Sequence, residues 1–304
     1  MRKILVTGAG GFVGARILDQ WRGRYELCTF PHGFSADSDE AAVRALIARE
    51  KPDVIVHTAA LSNTAYCASH PEESLRANVL LPEWIAKAAA ETGARLLAFS
   101  SDQVYAGCKR SGPLSETLSL SPANVYGCHK LEAEQRVLAI TPGAILLRAA
   151  WMYDFPGYRL PIRGNLPLNL LSAAKTGTAL HFSEHDFRGV SYVREVIDKL
   201  IPAMELPGGV YNFGSGNDCD MFETASRFAQ FLGVEVPLEK DHWERNLAMS
   251  GEKLKAFGIR FDSTIQAFQQ GIGTGACGPA IAKEHQYSAR KDYEVKFIIR
   301  VGKA

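Results

Sequence analysis

The chain has 304 residues, of which 46% are hydrophobic and 22% charged, the composition of a globular protein large enough to bury an extensive core. Its 34 lysines and arginines nearly balance its 33 aspartates and glutamates. This balance gives no electrostatic reason to expect a nucleic-acid partner or an anionic membrane surface. No run of about 18 apolar residues occurs, so a membrane-spanning helix is not predicted.

The start of the chain and its cysteines predict a cytoplasmic protein. The apolar run at residues 4–6 leads at once into glycines, whereas a secretory signal needs about 7 to 15 apolar residues. The six cysteines are scattered without a Cys-x-x-Cys pair, so neither a disulfide framework nor a zinc site is expected. Residues 181–186 carry histidines and acids at i, i+4 spacing, but they precede a predicted strand, which favours a solvated loop and no metal.

Short β-rich runs alternate with helical stretches in the first half of the chain. Pro71 begins a predicted helix that ends before Gly93, and Pro82 within it predicts a kink. Alternating strands and helices are typical of parallel βαβ units and predict a doubly wound parallel α/β sheet. The predicted strands are 3–7, 25–30, 53–57, 95–100 and 144–147, and the predicted helices are 12–21, 40–49, 71–92 and 122–139.

The alternation loosens after Arg148. Residues 151–167 are rich in glycine, proline and aromatics and predict a loop, followed by helices at 168–175, 194–204 and 222–231 and strands at 190–193 and 210–213. We predict a dinucleotide-binding domain over residues 1–150, with sheet elements returning near 178–214. A smaller substrate-binding lobe is expected mostly over residues 151–272. Residues 273–304 form a tail of unassigned role, with a possible added strand at 293–301.

A glycine cluster follows the first predicted strand and opens the first predicted helix. Its glycines allow a tight turn and a close approach of the backbone to a pyrophosphate, which the free N–H groups of the helix N-terminus bind. A glycine motif alone is weak evidence, but this strand–turn–helix context is the one that dinucleotide binding requires. The predicted cofactor contacts here are Gly8, Gly10, Gly11, Phe12, Val13 and Gly14.

Tyr126 and Lys130 lie four residues apart on a predicted helix and therefore on one face of it. A nearby ammonium lowers the pKa of a phenol from about 10 toward working pH, which suits a group that exchanges a proton with a carbonyl or an alcohol. This spacing also arises by chance, but here it follows the fourth strand and a long loop. Ser101 comes at the carboxyl end of that strand, where open α/β sheets form their ligand cleft and a hydroxyl can bond the reacting oxygen.

These motifs, in this order, resemble those of the extended short-chain dehydrogenases/reductases. The matching phrases are the glycine turn, Asp53-Val54-Ile55-Val56-His57-Thr58-Ala59-Ala60, Ser100-Ser101-Asp102-Gln103-Val104-Tyr105 and Tyr126-x-x-x-Lys130. Within this family the dTDP-4-dehydrorhamnose reductases are the most similar, through Pro113-Leu114-Ser115-Glu116-Thr117, Asn124-Val125-Tyr126-Gly127 and Arg148-Ala149-Ala150-Trp151-Met152-Tyr153. The resemblance covers residues 2–270 and is densest up to residue 153.

The resemblance implies a reductase that transfers a hydride from NADP or NAD to the 4-keto group of a nucleotide sugar. It makes Ser101 the catalytic hydroxyl, Tyr126 the general acid and Lys130 the residue that holds the nicotinamide ribose. It adds cofactor contacts at Ala59, Ala60, Asn78, Tyr126 and Lys130, and substrate contacts at Ser101, Asp102 and Arg188.

Two departures affect the cofactor and the assembly. An acid that bonds the ribose 2′-hydroxyl of NAD usually follows the second strand, and none follows residues 25–30, which favours NADP. Arg16 could supply a clamp for its 2′-phosphate. Arg16 also stands where some rhamnose reductases have a glutamate tied to a metal-linked dimer, so such a dimer is not implied and a monomer or homodimer is expected.

Two alternative functions remain open at this stage. The same Ser101–Tyr126–Lys130 set serves sugar-nucleotide epimerases, whereas Gln103 counts against a dehydratase because an amide cannot transfer a proton as glutamate can. The regulatory beta subunit of methionine adenosyltransferase resembles the same subfamily, so a non-catalytic NADP-binding subunit is the second alternative.

Overall fold

The computed structural model describes residues 1–31, 33–34, 38–155 and 160–272. The predicted tail at 273–304 lies outside the described residues. The strands are β1 (Lys3–Thr7), β2 (Glu26–Thr29), β3 (Val54–His57), β4 (Arg95–Ser101), β5 (Ile145–Ala149), β6 (Trp151–Tyr153), β7 (Leu180–Ser183), β8 (Asp186–Arg188), β9 (Val190–Tyr192), β10 (Gly209–Phe213), β11 (Leu238–Asp241) and β12 (Arg245–Leu247).

The helices fall mainly between these strands. They are α1 (Phe12–Trp21), α2 (Glu40–Glu50), α3 (Thr64–Ser69), α4 (Pro71–Leu75), a π-helical turn (Arg76–Leu80), α5 (Leu81–Thr92), a 3₁₀ turn (Asp102–Tyr105), α6 (Val125–Ile140), α7 (Leu166–Thr176), α8 (Val193–Ala203), α9 (Met221–Leu232), α10 (Glu252–Lys255) and α11 (Thr264–Gly271). Among the described residues, no helix is long and apolar enough to cross a membrane.

Six strands form one parallel sheet in the order β2–β1–β3–β4–β5–β10. The chain first moves to one side of β1 and then returns to the other, so the direction of winding reverses between β1 and β3. In open α/β sheets such a reversal leaves a crevice at the carboxyl ends of the strands. The predicted doubly wound parallel α/β sheet is confirmed.

Helices cover both faces of this sheet. On one face, Trp21 of α1 and Ile197 of α8 pack on the β1 side chain Ile4. On the other face, α2, α5 and α6 pack around Leu5 of β1. β3 is buried along its whole length, as expected for a central parallel strand that is covered on both sides. The apolar runs that predicted the strands are therefore explained by burial on two faces.

The helical region between Pro71 and Thr92 is interrupted where the sequence predicts a kink. A π-helical turn occupies Arg76–Leu80, and Pro82 stands in the first turn of α5, where its missing N–H removes no hydrogen bond that the new helix needs. The widened turn therefore accommodates the proline, and Gly93 in the left-handed conformation ends α5.

Outside the main sheet lie three two-stranded parallel sheets, which pair β6 with β9, β7 with β11 and β8 with β12, and we call this part of the structure the second lobe. Its core is aromatic, with the rings of Phe228 and Phe268 stacked 3.6 Å apart. Of the sheet elements predicted to return near 178–214, β10 joins the main sheet and α8 covers it. In contrast, β7 pairs only inside the second lobe.

Two predictions for this half of the chain were wrong in detail. Residues 151–167 were expected to form a loop, but Trp151–Tyr153 is a strand. It pairs with β9, whose residues are 39 positions later in the sequence. Residues 181–186 were expected to form a solvated loop, but they contain the end of β7 and the first residue of β8. Both strands depend on partners that are distant in sequence.

Candidate active site

The glycine turn between β1 and α1 is shaped by two close backbone approaches. Gly8 has a φ of 68°, and a Cβ atom there would lie 2.7 Å from the backbone nitrogen of Ala59. A Cβ atom on Gly14 would lie 2.2 Å from the carbonyl oxygen of Gly8. Gly11, at the N-cap of α1, offers no side-chain cap, so the first N–H groups of the helix are available to an anion. The turn therefore fits the pyrophosphate of a dinucleotide.

A cleft of about 1020 Å³ opens at the carboxyl ends of the central strands, beside this turn. Eight of the predicted site residues line it: Phe12, Val13, Ala60, Ser101, Asp102, Tyr126, Lys130 and Arg188. The glycines lie in the turn next to the cleft. Asn78 is only 1% exposed, and its amide exchanges hydrogen bonds with both backbone groups of Leu61, which places it behind the cleft as a support for the loop after β3.

Helix α6 brings Tyr126 to Ser101. Asn124 caps the helix by accepting a 2.8 Å hydrogen bond from the backbone N–H of Gly127. A Cβ atom on Gly127 would lie 2.3 Å from the carbonyl oxygen of Gln103, so only glycine lets α6 pack this closely on the 3₁₀ turn after β4. The phenol of Tyr126 consequently lies close enough to the Ser101 hydroxyl for that hydroxyl to act on its pKa.

Tyr126 is 6% exposed, and this burial raises the pKa of its phenol above the ordinary value. The nearby hydroxyl of Ser101 and the positive charge of Arg163 act in the opposite direction but do not overcome the burial. The expectation that Lys130 lowers this pKa toward working pH is therefore wrong for the structure described here. Tyr126 keeps its proton at neutral pH, which is the state that a general acid needs.

Lys130 is 4% exposed, and its ammonium donates a 2.6 Å hydrogen bond to the carbonyl oxygen of Phe99. Burial lowers the pKa of Lys130 to about 8, although the negative charge of Glu134 opposes the shift. The ammonium in turn adds to the burial that lowers the pKa of His57 to about 3. A neutral His57 thus lies behind a protonated lysine at pH 7.

A buried ion pair between β5 and α6 lies near Lys130, and it was not predicted from the sequence. Arg148 of β5 binds both carboxylate oxygens of Glu134, at 3.0 Å from Nε to Oε1 and 2.7 Å from Nη2 to Oε2. Ser100 donates a 2.5 Å hydrogen bond to the same carboxylate. The available signal was spacing, because Glu134 stands one helical turn after Lys130.

The wall of the cleft that faces the glycine turn carries arginines. Arg188 pairs with Asp102 at 2.5 Å, and its guanidinium carbon lies 5.3 Å from the ring centroid of Trp151. Arg245 of β12 and Arg163 also line the cleft, and neither was singled out from the sequence. Both come from segments without a recognisable motif, so only the folded structure reveals them.

Arg16 does not point into the cleft. It is 1% exposed, and its Nε lies 2.6 Å from the carboxylate of Asp154, which is itself fully buried. A second guanidinium nitrogen donates to the carbonyl oxygen of Phe12. The suggestion that Arg16 clamps a 2′-phosphate is therefore wrong, because its guanidinium is buried and already bound to Asp154 and Phe12.

A group of possible metal ligands lies on the surface of the second lobe. Glu184, His185 and His242 bring ligand atoms within 4.8 Å of one another. One oxygen of Glu184 already accepts a 2.8 Å hydrogen bond from the ammonium of Lys240. An ammonium held this close competes with a cation for the carboxylate.

Comparisons with known proteins identify the family of the chain. Residues 1–249 match the protein family described as the RmlD substrate binding domain. The chain belongs to this family. The spore coat polysaccharide biosynthesis protein SpsK of Bacillus subtilis is 25% identical to it over 239 residues, which are 78% of this chain and 82% of that protein.

Two further relatives match at higher identity over a shorter length. The dTDP-4-dehydrorhamnose reductase of Mycolicibacterium smegmatis is 35% identical over 153 residues, 50% of this chain and 46% of that one. The methionine adenosyltransferase 2 subunit beta of Xenopus laevis is 37% identical over 161 residues, 50% of this chain and 47% of that one. The matched segment thus spans slightly less than half of either relative.

Solved structures show the same fold. The dTDP-4-dehydrorhamnose reductase of Bacillus anthracis, solved in complex with NADP, superposes with a TM-score of 0.81 at 18% identity, over 90% of this chain and 99% of that one. The UDP-glucose 4-epimerase of Thermus thermophilus, complexed with NAD, gives 0.71 at 19% identity, over 88% and 99%. The predicted resemblance to this family of reductases is confirmed.

Proposed function

We propose that the protein is a nicotinamide-dependent reductase of a 4-keto nucleotide sugar, with NADPH as the preferred reductant. The observation that supports this most is the meeting of Ser101, Tyr126 and Lys130 in one cleft beside the glycine turn. Family membership supports the same reading, since its relatives include dTDP-4-dehydrorhamnose reductases.

The side chains divide the chemistry between them. When bound, the reduced nicotinamide supplies the hydride. Tyr126, kept protonated by burial, donates its proton to the carbonyl oxygen of the sugar as negative charge develops there. Ser101 donates a hydrogen bond to the same oxygen and holds it against the phenol. Lys130, whose ammonium is held by the carbonyl of Phe99, would bind the nicotinamide ribose.

The cofactor site fits a dinucleotide and favours NADPH. Gly10 leaves the surface of the turn free of a side chain, since a Cβ atom there would meet no protein atom within 4 Å, and a pyrophosphate can approach the backbone at this point. Phe30 and Pro31, which follow β2 directly, carry no carboxylate to repel a 2′-phosphate. A relative's structure contains NADP and another contains NAD, so the direct test is affinity for both.

The test is reduction of a panel of 4-keto sugar nucleotides by purified protein with NADPH or NADH, followed by absorbance. Tyr126→Phe removes one hydroxyl and should lower kcat by roughly 100-fold or more, because the proton donor is lost. Oxidation of NADPH that requires a keto sugar and disappears in this variant would support the reductase. Tight cofactor binding without turnover of any substrate would contradict it.

A second candidate is the non-catalytic NADP-binding subunit, favoured by the 37% identity to methionine adenosyltransferase 2 subunit beta. Against it stands the complete catalytic set in an open cleft. Epimerisation is a weaker alternative, because dTDP-4-dehydrorhamnose reductases are relatives in sequence, whereas the epimerase is similar in fold. A stoichiometric complex with a methionine adenosyltransferase, together with no keto-sugar reduction, would favour the regulatory role.

A further inference from the structure

Three arginines line the cleft, and two of them are neutralised by carboxylates. Arg188 pairs with Asp102 at 2.5 Å. Arg245 binds both oxygens of Asp186, at 2.8 Å from Nε and 2.6 Å from Nη2. Arg163 has no carboxylate oxygen within 4.0 Å among the residues that the structure describes. Its charge is therefore uncompensated, and the cleft is open to an anion at this point.

The position of Arg163 shows which part of the cleft this is. Its Nη1 donates a 2.6 Å hydrogen bond to the hydroxyl of Ser62, in the segment that follows β3. The guanidinium carbon lies 5.8 Å from the ring centroid of Phe12, the first residue of α1 after the glycine turn. Arg163 is also near enough to Tyr126 for its charge to act on the phenol. The side chain thus reaches across the cleft from the second lobe, between the turn and the catalytic tyrosine.

A guanidinium suits this place because its planar fork of N–H groups matches the oxygens of phosphate groups. From the free charge of Arg163 and its position beside the glycine turn, we propose that Arg163 binds a diphosphate, expected to be the diphosphate of the dinucleotide. The inference rests on the proposed function, since it requires a dinucleotide in the cleft. The diphosphate of a nucleotide sugar has the same chemistry, and the experiment separates the two sources.

Two substitutions probe Arg163, and one matched control accounts for the change in net charge. Arg163→Gln removes the charge, whereas Arg163→Lys keeps the charge but loses the fork. Arg24→Gln removes one charge from an exposed turn ahead of β2, at the end of the sheet opposite the cleft. For each protein, the Kd of NADPH is measured by calorimetry, and the Kd of dTDP is measured with NADPH saturating.

Arg163→Gln should weaken NADPH binding by about 10- to 100-fold, since a charge-assisted bidentate contact is lost. Arg163→Lys should recover part of this loss, and Arg24→Gln should bind as the wild type does. Adenosine 2′-monophosphate has no diphosphate, so its Kd should be the same in all four proteins. That ligand separates loss of a diphosphate contact from general damage to the cleft.

The remaining outcomes are also decisive. Weakened dTDP binding with unchanged NADPH binding would assign Arg163 to the diphosphate of the sugar nucleotide. Unchanged affinity for both ligands in Arg163→Gln would overturn the inference, as would an equal loss of affinity for adenosine 2′-monophosphate. A wild type that binds no dinucleotide would instead refute the proposed function, which is a separate result.

Discussion

The guanidinium of Arg188 lies 2.5 Å from the carboxylate of Asp102 and connects the two walls of the cleft directly beside Ser101. Asp102 is only 2% exposed, and its other oxygen accepts a 3.2 Å hydrogen bond from the Ser101 hydroxyl. The same hydroxyl is within reach of the Tyr126 phenol. The ion pair therefore links the two walls of the cleft and holds the carboxylate that contacts Ser101 in place.

Removing Arg188 alone should cost more stability than removing the whole ion pair. Arg188→Gln leaves a buried carboxylate without its cation and should lower the free energy of unfolding by about 3 kcal/mol. The double variant Arg188→Gln, Asp102→Asn should recover part of that loss, because no uncompensated charge remains. Urea unfolding at pH 7 measures both. Equal losses in the single and double variants would contradict a desolvated ion pair.

The main sheet was predictable because each of its strands and helices has a signal within a short stretch of the sequence. An apolar run, a glycine turn and an amphipathic helix each show within a few residues, and the order of such units dictates a parallel sheet. That Ser101, Tyr126 and Lys130 line one cleft was predictable for the same reason, since each stands at a definable place in a strand or helix. The expected lowering of the Tyr126 pKa by Lys130 was wrong, because burial raises this pKa.

The second lobe was less predictable because its strands depend on distant partners. Trp151–Tyr153 is extended only because Val190–Tyr192 lies beside it, and three residues carry no periodic signal. The roles of Arg163 and Arg245 likewise depend on contacts in the folded chain. Arg245 is paired with the carboxylate of Asp186, whereas Arg163 has no carboxylate partner among the residues that the structure describes. The sequence shows that these residues are positively charged, but only the folded chain shows which of the charges is neutralised by a nearby carboxylate.

The stability of the protein should rise with pH between about 8 and 10.5 through Lys130. The folded-state pKa is lowered to about 8 from 10.5, so the unfolded chain binds the extra proton in that window. The buried charge costs about 3 kcal/mol below pH 8, and this cost disappears as pH rises through the window. Lys130→Met lacks this buried charge, so its advantage in the free energy of unfolding over the wild type should shrink as the pH rises through the window. Parallel pH curves for the two proteins would exclude a perturbed lysine.

His57 should make a distinct contribution to acid unfolding. Its folded-state pKa is lowered to about 3, by burial first and the charge of Lys130 second, while its Nδ1 lies 2.8 Å from the Thr7 hydroxyl. Below pH 6.5 the unfolded chain takes up a proton that the native state refuses, so stability falls by up to about 5 kcal/mol between pH 6.5 and 3. His57→Asn, which can keep the bond to Thr7, should unfold at lower pH. An unchanged acid midpoint would contradict this assignment.

Two glycines of the first turn should respond to alanine in different ways, although both were predicted from one motif. A methyl group on Gly14 would lie 2.2 Å from the carbonyl oxygen of Gly8, so Gly14→Ala forces α1 away from β1. It should lower the free energy of unfolding by about 2 kcal/mol or more, as overpacking does. Around Gly10, by contrast, a Cβ atom meets no other atom within 4 Å.

Gly10→Ala should therefore leave the melting temperature within about 2 °C of wild type, because it creates no clash in the protein itself. Any loss that it causes must appear in the Kd of NADPH, since the added methyl group lies on the surface that a pyrophosphate approaches. Thermal unfolding and cofactor titration of the two variants separate a glycine that the fold requires from one that the ligand requires. If Gly10→Ala binds NADPH as tightly as wild type, Gly10 has no part in the cofactor site.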